Sequence, residues 1–589
     1  MVRRPVVLLS ALLAVLGSLA MREASSLDAG GFGPINVTKT ADSNDGTCSA
    51  GDCSLREAVI EANTRSTSPA APQLINVPAG TYILTIGGPG ENLGATGDLD
   101  IRNSVILRGA GRAATVIDGN AADRVLDVFY PNDLVEPILV HLEGLTVRNA
   151  GPDTSITAVG VHVHGDADLI VSNVAIRDND FSGLRASPDG GISPHSDRLV
   201  ISDSIIDGNR GRGIDVLCNE ITISATTISD NAGGIRFDNL DCPEPYGVVI
   251  RDSVISGNVL TGDDTRGGGI ESIGTQDFPV FDRVPSLRLT RTTVADNEAQ
   301  YGGGLFHSTG EVLIEQSTFF SNGAVNGGAI YVAHSESGIF FVSIENSTLS
   351  GNGTVFGNGG GIYLRAGRVN INNSTVAANF LGFGGFGGGL YARAGTTVSG
   401  SGTIIAANTG GDCGGQDPAS GGHNLDSDSS CFFAASDVHA DPLLGPLANN
   451  GGPTRTHRLK SGSPALDAGA ASCAAADQRS IARPQGGVCD IGAFEARQCL
   501  GRPESKAGTN AGETITGSAG PDVILALGGD DTVNGGGGVD YLCGGTGDDT
   551  LNGQEANDRL NGGAQHDVCD GGPGLSDTAV NCEEMPNIP

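Results

Sequence analysis

Short runs of alternating apolar and polar residues fill most of this chain, and a longer pattern overlies them. An asparagine returns at 179, 209, 231, 258, 297, 322, 352, 379 and 408, at spacings of 30, 22, 27, 39, 25, 30, 27 and 29 residues. Three positions before each stands an apolar residue: Ile176, Ile206, Ile228, Ile255, Val294, Phe319, Leu349, Val376 and Ile405. Five positions before stands Ser or Thr in eight of nine units, Val174 being the exception. Glycine runs such as Gly302-Gly303-Gly304 and Gly387-Gly388-Gly389 add a second punctuation. Such a period predicts a solenoid with one coil per unit. The segments are β-branched and rich in Gly and Asn, which argues for strands rather than helical repeats. Upstream, Ile75–Tyr82 and Val105–Gly109 read as opening strands. Before them Leu55, Ala58, Val59 and Ala62 fall at i, i+3, i+4 and i+7, the stripe of a short amphipathic helix. Ser54 and Glu57 have capping-box spacing at its start.

Leucine at fixed short spacing, which a leucine-rich repeat needs, is missing. The remaining reading is a right-handed parallel β-helix, with Val and Ile stacked inward and the repeated Asn at a turn. Stacked Asn side chains can then hydrogen-bond from coil to coil. The pattern resembles the right-handed β-helix superfamily that includes pectate lyases and many surface adhesins. The run Cys53-Ser54-Leu55-Arg56-Glu57-Ala58-Val59 resembles the CSLREA motif found before secreted β-helix domains, with Val59 where Ile is usual. Its helix is read as a plug on the open end of the stack. Residues 411–497 lose the repeat. They carry Asn449-Asn450-Gly451-Gly452-Pro453-Thr454, Gly462-Ser463-Pro464-Ala465-Leu466-Asp467, Asp477-Gln478-Arg479 and Cys489-Asp490-Ile491-Gly492-Ala493-Phe494-Glu495. That succession resembles the choice-of-anchor Q domain, with Ser480 where Gly is common, and the resemblance implies export and a C-terminal cap.

A third period follows. Aspartates stand at 522, 531, 540, 549, 558 and 567, always nine apart, and two residues after each comes Ile524, Val533, Leu542, Leu551, Leu560 or Cys569. Glycine pairs Gly535-Gly536, Gly544-Gly545 and Gly562-Gly563 precede them, with Gly538 and Gly547 completing two units. The units resemble the RTX, or hemolysin-type, calcium-binding nonapeptide repeat. Calcium takes six to eight hard oxygens, and a glycine-bent loop with an Asp offers carbonyl and carboxylate oxygens. The expected metal ligands and loop residues are therefore Asp522, Asp531, Gly535, Gly536, Gly538, Asp540, Gly544, Gly545, Gly547, Asp549, Asp558, Gly562 and Asp567. Two nonads should make one coil, so that Asp522 meets Asp540, Asp531 meets Asp549, Asp540 meets Asp558 and Asp549 meets Asp567. Several units depart from the consensus: Ala526-Leu527 replace a glycine pair, Gln554 and Ala556 replace glycines, and Gln565 replaces another. About two to four occupied sites are expected, with the segment unstructured until the ion binds.

The expected organisation is thus all-β with a short N-terminal capping helix: signal peptide 1–24, CSLREA-like cap 25–72, β-helix 73–410, choice-of-anchor Q-like cap 411–497 and RTX β-roll 498–589. Composition agrees, with 92 Gly, no Trp and 38% hydrophobic residues. A net charge of −34 attracts cations and argues against nucleic acid or anionic membranes as partners. Arg3 and Arg4 before the apolar stretch Pro5–Leu19 read as an export signal, an uncleaved anchor being the alternative. No later apolar run reaches eighteen residues, so no transmembrane segment is expected after its removal. Twelve cysteines in an exported chain fit disulfides. They lie as near pairs Cys48/Cys53, Cys218/Cys242, Cys413/Cys431, Cys473/Cys489 and Cys569/Cys582, with Cys499 and Cys543 left to pair, although sequence does not fix the connectivity. No CxxC doublet suggests a structural zinc site.

Two functions remain open. One is a secreted or cell-surface calcium-binding β-helix protein of structural or adhesive role, with extracellular polysaccharide or a cell surface as partner. The other is a secreted polysaccharide lyase or glycoside hydrolase with the repeats as accessory. Asp203, Asp207, Asp230 and Asp252, near Arg210, Arg212 or Arg251, are the candidate catalytic cluster, weighed against solvated turn residues. His162 and His164 share a strand face, read as half a metal site or, more simply, as a wet outer face. No Gly-x-Ser-x-Gly or His-Glu-x-x-His signature supports a peptidase or esterase.

Overall fold

Segments rich in Val, Ile, Thr and Gly form strands of two to six residues, punctuated by tight turns. The computed structural model describes residues 32–588, apart from 47, 66, 89–92, 130–136, 152–157, 165–166, 188–197, 218–219, 240–246, 275–285, 309, 334–339 and 433. The signal-like segment and the Cys218/Cys242 pair lie outside the described residues. The fold is a right-handed parallel β-helix followed by a parallel β-roll, with a single helix among the described residues. The chain divides into two units: Met1–Thr261 with Gly267–Leu287, and Gly262–Arg266 with Arg288–Pro589.

In the first unit each coil contributes three strands. Ile138–Glu143, Thr146–Arg148 and Val161–His164 form one coil, and Ala167–Ser172, Ala175–Arg177 and Leu184–Ser187 the next. Each strand pairs in parallel with its counterpart one coil on, as Ile176 with Val147 and Ile206. The marked apolar residues Ile176, Ile206, Ile228 and Ile255 are fully buried. The asparagines form the expected ladder: the Nδ2 of Asn179 donates to Asn209 Oδ1 at 2.8 Å, Asn209 to Asn231 at 2.7 Å, and Asn231 to Asn258 at 3.0 Å. Each Asn oxygen also accepts the backbone amide of the Asn before it. A parallel rung runs through the Ser/Thr row, where the Thr226 amide donates to Ser253 Oγ.

The helix Leu55–Thr64 opens this unit. Ser54 and Glu57 form the capping box, and Leu55, Ala58, Val59 and Ala62 are buried. Arg56 is wholly buried as well; it donates to Asp42 and to the carbonyls of Gly94, Gly97 and Asp98. The helix packs on the first strands, Ile35–Asn36, Gln73–Val77 and Leu99–Ile101.

The second unit repeats the scheme. Asn297, Asn322, Asn352, Asn379 and Asn408 are joined by Nδ2-to-Oδ1 bonds of 2.9–3.0 Å. Parallel pairing continues past residue 410, where the asparagine mark stops: Ile404 pairs with Leu425, and Leu425 with Val438. Asp412 takes the next rung, accepting from Asn408 Nδ2 at 3.0 Å. The segment after it runs back along the coils as well as covering their last strands. Gln478 donates to Thr318 Oγ1 at 2.9 Å and accepts from Thr348 Oγ1 at 2.6 Å, and the Ala493 amide donates to Thr375 Oγ1. Ile491 and Phe494 pack in one core with Ile404, Leu425 and Leu459.

Disulfides join Cys48–Cys53, Cys413–Cys431, Cys473–Cys489, Cys499–Cys543 and Cys569–Cys582. Among the described residues no helix is long and apolar enough to cross a membrane.

Candidate metal centre

The nonads of the second unit form a roll of two facing sheets. One contains Val523–Gly528, Tyr541–Thr546 and Arg559–Ala564; the other contains Thr532–Gly537, Thr550–Glu555 and Val568–Asp570. Ile524 pairs with Leu542 and Leu542 with Leu560, while Val533 pairs with Leu551 and Leu551 with Cys569. The offset is eighteen residues, so two nonads make one coil. All six of these side chains are buried in one narrow core with Ile515 and Ala526.

That winding stacks the aspartates into two columns. The amide of Asp522 donates to Asp540 Oδ1 at 2.7 Å, and that of Asp540 to Asp558 at 2.9 Å. In the other column Asp531 donates to Asp549, and Asp549 to Asp567, both at 2.9 Å. These are the four pairings expected from the spacing. The second carboxylate oxygen of Asp531, Asp540, Asp549, Asp558 and Asp567 is buried and has no hydrogen-bond partner. At all but Asp531 it faces the bare side of a glycine: a Cβ on Gly535, Gly544 or Gly562 would strike the free oxygen of Asp540, Asp549 or Asp567 respectively, and one on Gly553 that of Asp558. Gly536, Gly538, Gly545 and Gly547 hold φ of +107°, +97°, +116° and +128°, open to glycine at little cost. Carbonyl oxygens of Leu527 and Gly529, one coil earlier, lie against Gly545 and Gly547. At the departures from the consensus, Leu527, Gln554, Ala556 and Gln565 are held at φ of 73–91° despite their side chains.

The spacing of nine, which Glu513 continues upstream as a degenerate unit, missed the C-terminal ends of both columns. Asp577 accepts from the Asp558 amide at 2.7 Å, nineteen residues on, and its other oxygen is also buried without a partner. Glu583 accepts from the Asp567 amide at 2.7 Å, and at the other end the Glu513 amide donates to Asp531. One extra residue in the last coil breaks the count of nine, which is why Asp577 was hidden.

Burial pushes the Asp540 carboxyl up to about 6, and the neighbouring Asp558 and Asp522 add to the rise. Asp531, Asp549, Asp558 and Asp567 are raised for the same first cause, burial. Desolvated carboxylates with one unmatched oxygen each, set among carbonyls, are a donor set of hard oxygens. It fits calcium and does not fit a thiophilic ion.

The first unit places the acids weighed as a catalytic cluster and corrects one expectation, that of a wet face at His162. Asp203 and Asp252 precede their short strands at φ of 50° and 51°, whereas Asp230 follows its strand at 56°. Asp207 is paired with Arg177 at 2.7 Å, Arg210 with Asp180 at 2.7 Å, and Arg212 with Glu271. Asp203, Asp230 and Asp252 are therefore turn residues and Asp207 sits in an ion pair with Arg177, which agrees with the turn reading. His162 is not on a wet face: it is 5% exposed, with Nδ1 3.1 Å from the Asp127 carboxylate. His164 Nε2 lies 3.2 Å from the same carboxylate. Burial pushes Asp127 up, but the two imidazoles and Arg124 outweigh it and hold the group well below the usual carboxylate range. Asp127 is absent from any repeat mark; only its pairing with His162 across one coil reveals it.

Comparison with known proteins agrees with these two parts. Residues 159–342 match the model of the right-handed β-helix region, and residues 508–542 and 544–574 match the RTX calcium-binding nonapeptide repeat. No curated protein matches the chain. Among solved structures, pectate lyase Pel9A is similar at 16% identity over 80% of this chain and 98% of that one, with a TM-score of 0.37. The catalytic unit of a GH87 α-1,3-glucanase from Streptomyces thermodiastaticus has 14% identity over 70% and 69%, also at 0.37. An N-terminal fragment of bacteriophage Phi29 gene product 12 has 12% identity over 86% and 84%, at 0.36. The chain thus carries a right-handed β-helix region followed by RTX calcium-binding repeats.

Proposed function

We propose that this is an exported protein whose β-helix has a structural or adhesive role outside the cell and whose C-terminal roll assembles on calcium. The observation that carries the reading is the double column of aspartates, of which Asp531, Asp540, Asp549, Asp558 and Asp567 each keep one buried, unmatched oxygen, four of these over the bare side of a glycine. Asp522, Asp531, Asp540, Asp549, Asp558 and Asp567 would hold the ions, with loop carbonyls around Gly535, Gly536, Gly538, Gly544, Gly545, Gly547 and Gly562. Bound calcium supplies the positive charge that lets neighbouring carboxylates stay ionised and buried together. Five disulfides and the nonapeptide repeats support an extracellular setting. The CSLREA-like cap at 25–72, the β-helix at 73–410, the choice-of-anchor Q-like cap at 411–497 and the roll at 498–589 are the proposed domains. The first and third of these, with the signal-like residues 1–24, support export.

Hydrogen–deuterium exchange of the full chain, with chelator and then with millimolar calcium, tests the reading. Calcium should protect the strands between 523 and 570 while leaving the asparagine-ladder coils unchanged. Equal exchange in both buffers would overturn it. Binding of the calcium-loaded chain to extracellular polysaccharides or intact cells tests the adhesive role.

A second reading, a secreted polysaccharide lyase or hydrolase, draws on one observation. Register aligns Asp100, Asp127, His162, Arg185, Asp215, Arg236 and Glu271 across successive coils of the first unit. A panel of acidic and neutral polysaccharides, assayed for unsaturated or reducing ends, decides it; silence across the panel removes it.

A further inference from the structure

Three chemistry-bearing side chains of the first unit meet where two neighbouring strands, Leu126–Phe129 and Val161–His164, run side by side. Register sets His162 beside Asp127 and His164 beside Phe129. The inward residues Val161 and Val163 fix the strand, so both imidazoles leave by the same face. Their rings stack with centroids 4.9 Å apart, and Phe129 closes on His164 at 4.6 Å. One nitrogen from each ring and one oxygen of Asp127 lie within 4.8 Å of one another.

We infer that His162, His164 and Asp127 form a binding site for a divalent transition ion of the zinc class, separate from the calcium sites of the roll. The separations carry the argument first. Ligands at 2.0–2.1 Å from a tetrahedral ion stand about 3.3 Å from each other, and both imidazole nitrogens are 3.1–3.2 Å from the Asp127 carboxylate. The cluster is also largely shielded from water: His162 is 5% exposed and Asp127 1%, so solvent competes little for the three ligand atoms. Two imidazoles with one carboxylate favour zinc-like ions over calcium, which prefers an all-oxygen set.

The surrounding charge leaves room for a dication. Arg124 reaches Asp127 at 3.2 Å, but its Nε is anchored on Asp98 at 2.7 Å. Asp98 and Asp100 form a further close carboxylate group with Asp127. Arg124 can therefore keep the Asp98 contact when an ion takes its place at Asp127. Among the described residues the cluster offers three ligands, so the site is of the open kind, with three protein ligands and a free position.

Cobalt(II) is the probe, added to the full chain in excess calcium so that the roll is filled. One equivalent should raise the visible absorption of a low-coordinate cobalt site, and one equivalent of zinc should abolish it. His164→Gln and His162→Gln should each weaken cobalt binding at least about 100-fold, and Asp127→Asn should weaken it too. His164 is the more accessible of the pair, so its variant remains informative if His162→Gln fails to fold. Exchange protection of the neighbouring first-unit strands Ile138–Glu143 and Ala167–Ser172 in each variant reports that the mutated coils are intact. Absence of the absorption band, or an unchanged band in a folded His164→Gln, overturns the site. Neither result touches the calcium reading, which has its own readout.

Discussion

Gly544→Ala is the sharpest probe of the calcium loops. Gly544 sits across from Asp549, and an added Cβ would meet the free Asp549 oxygen and stand 2.5 Å from the Gly562 carbonyl oxygen. That is about 0.9 Å short of ordinary contact, so the loop or the next coil must shift. No positive φ is involved at this glycine, so the effect is steric and local to the carboxylate. Overpacking of this kind costs about 1–3 kcal/mol, which raises the calcium concentration for half-folding about 5- to 150-fold. Gly520 is the matched control in the same array, because a Cβ there would meet only Ser518 Oγ, at 3.9 Å. The assay is peptide-resolved exchange of the full-length variants across a calcium series, read on Tyr541–Thr546 and Arg559–Ala564. If Gly544→Ala and Gly520→Ala titrate together, the glycine does not serve the carboxylate and the reasoning fails.

Relieving the strained consensus departures should act in the opposite direction: Gln554→Gly with Ala556→Gly removes two side chains at φ of 73° and 88° and gains about 1 kcal/mol per site, seen as a lower calcium midpoint. The pH dependence of the calcium-free roll has a definite sign. Asp540 is raised to about 6 from 3.8, so its contribution is whole below the unfolded value and is lost as pH rises through about 6. That shift is worth about 3 kcal/mol unscreened and on the order of 1–2 kcal/mol with water at the loop. In chelator the strands Tyr541–Thr546 and Arg559–Ala564 should therefore be better protected from exchange at pH 4.5 than at 7.5, after correction for the intrinsic exchange rate, and in saturating calcium the order should reverse. Asn352→Ala leaves the Asn322 amide and Nδ2 without their acceptor and should cost roughly 2–4 kcal/mol in unfolding of the second unit, with the calcium midpoint of the roll unchanged.

Features that repeat were legible in the sequence. The asparagine every twenty-odd residues marks a buried ladder because its amide satisfies both a side chain and a backbone group one coil away. The aspartate every nine marks the columns because eighteen residues are one turn of the roll. What escaped was set by contacts between coils that carry no common mark. Asp127 joins His162 only through strand register, and Asp577 follows its predecessor by nineteen residues instead of eighteen. The acids around Asp203 were legible as turn residues, because Asp is favoured in turns and Asp203, Asp230 and Asp252 stand at positive φ beside their short strands.

The ladder of asparagines also sets how this protein can be lengthened or trimmed. Asn179 and Asn209 are 30 residues apart while Asn209 and Asn231 are 22 apart, yet both pairs close the same bond. The difference lies between strands: ten residues join Leu184–Ser187 to Arg198–Ser202, and two join Ile214–Leu217 to Glu220–Ser224. The scaffold therefore counts anchor points, not chain length. A change in the number of residues between one strand and the next should therefore leave the spacing of the coils intact.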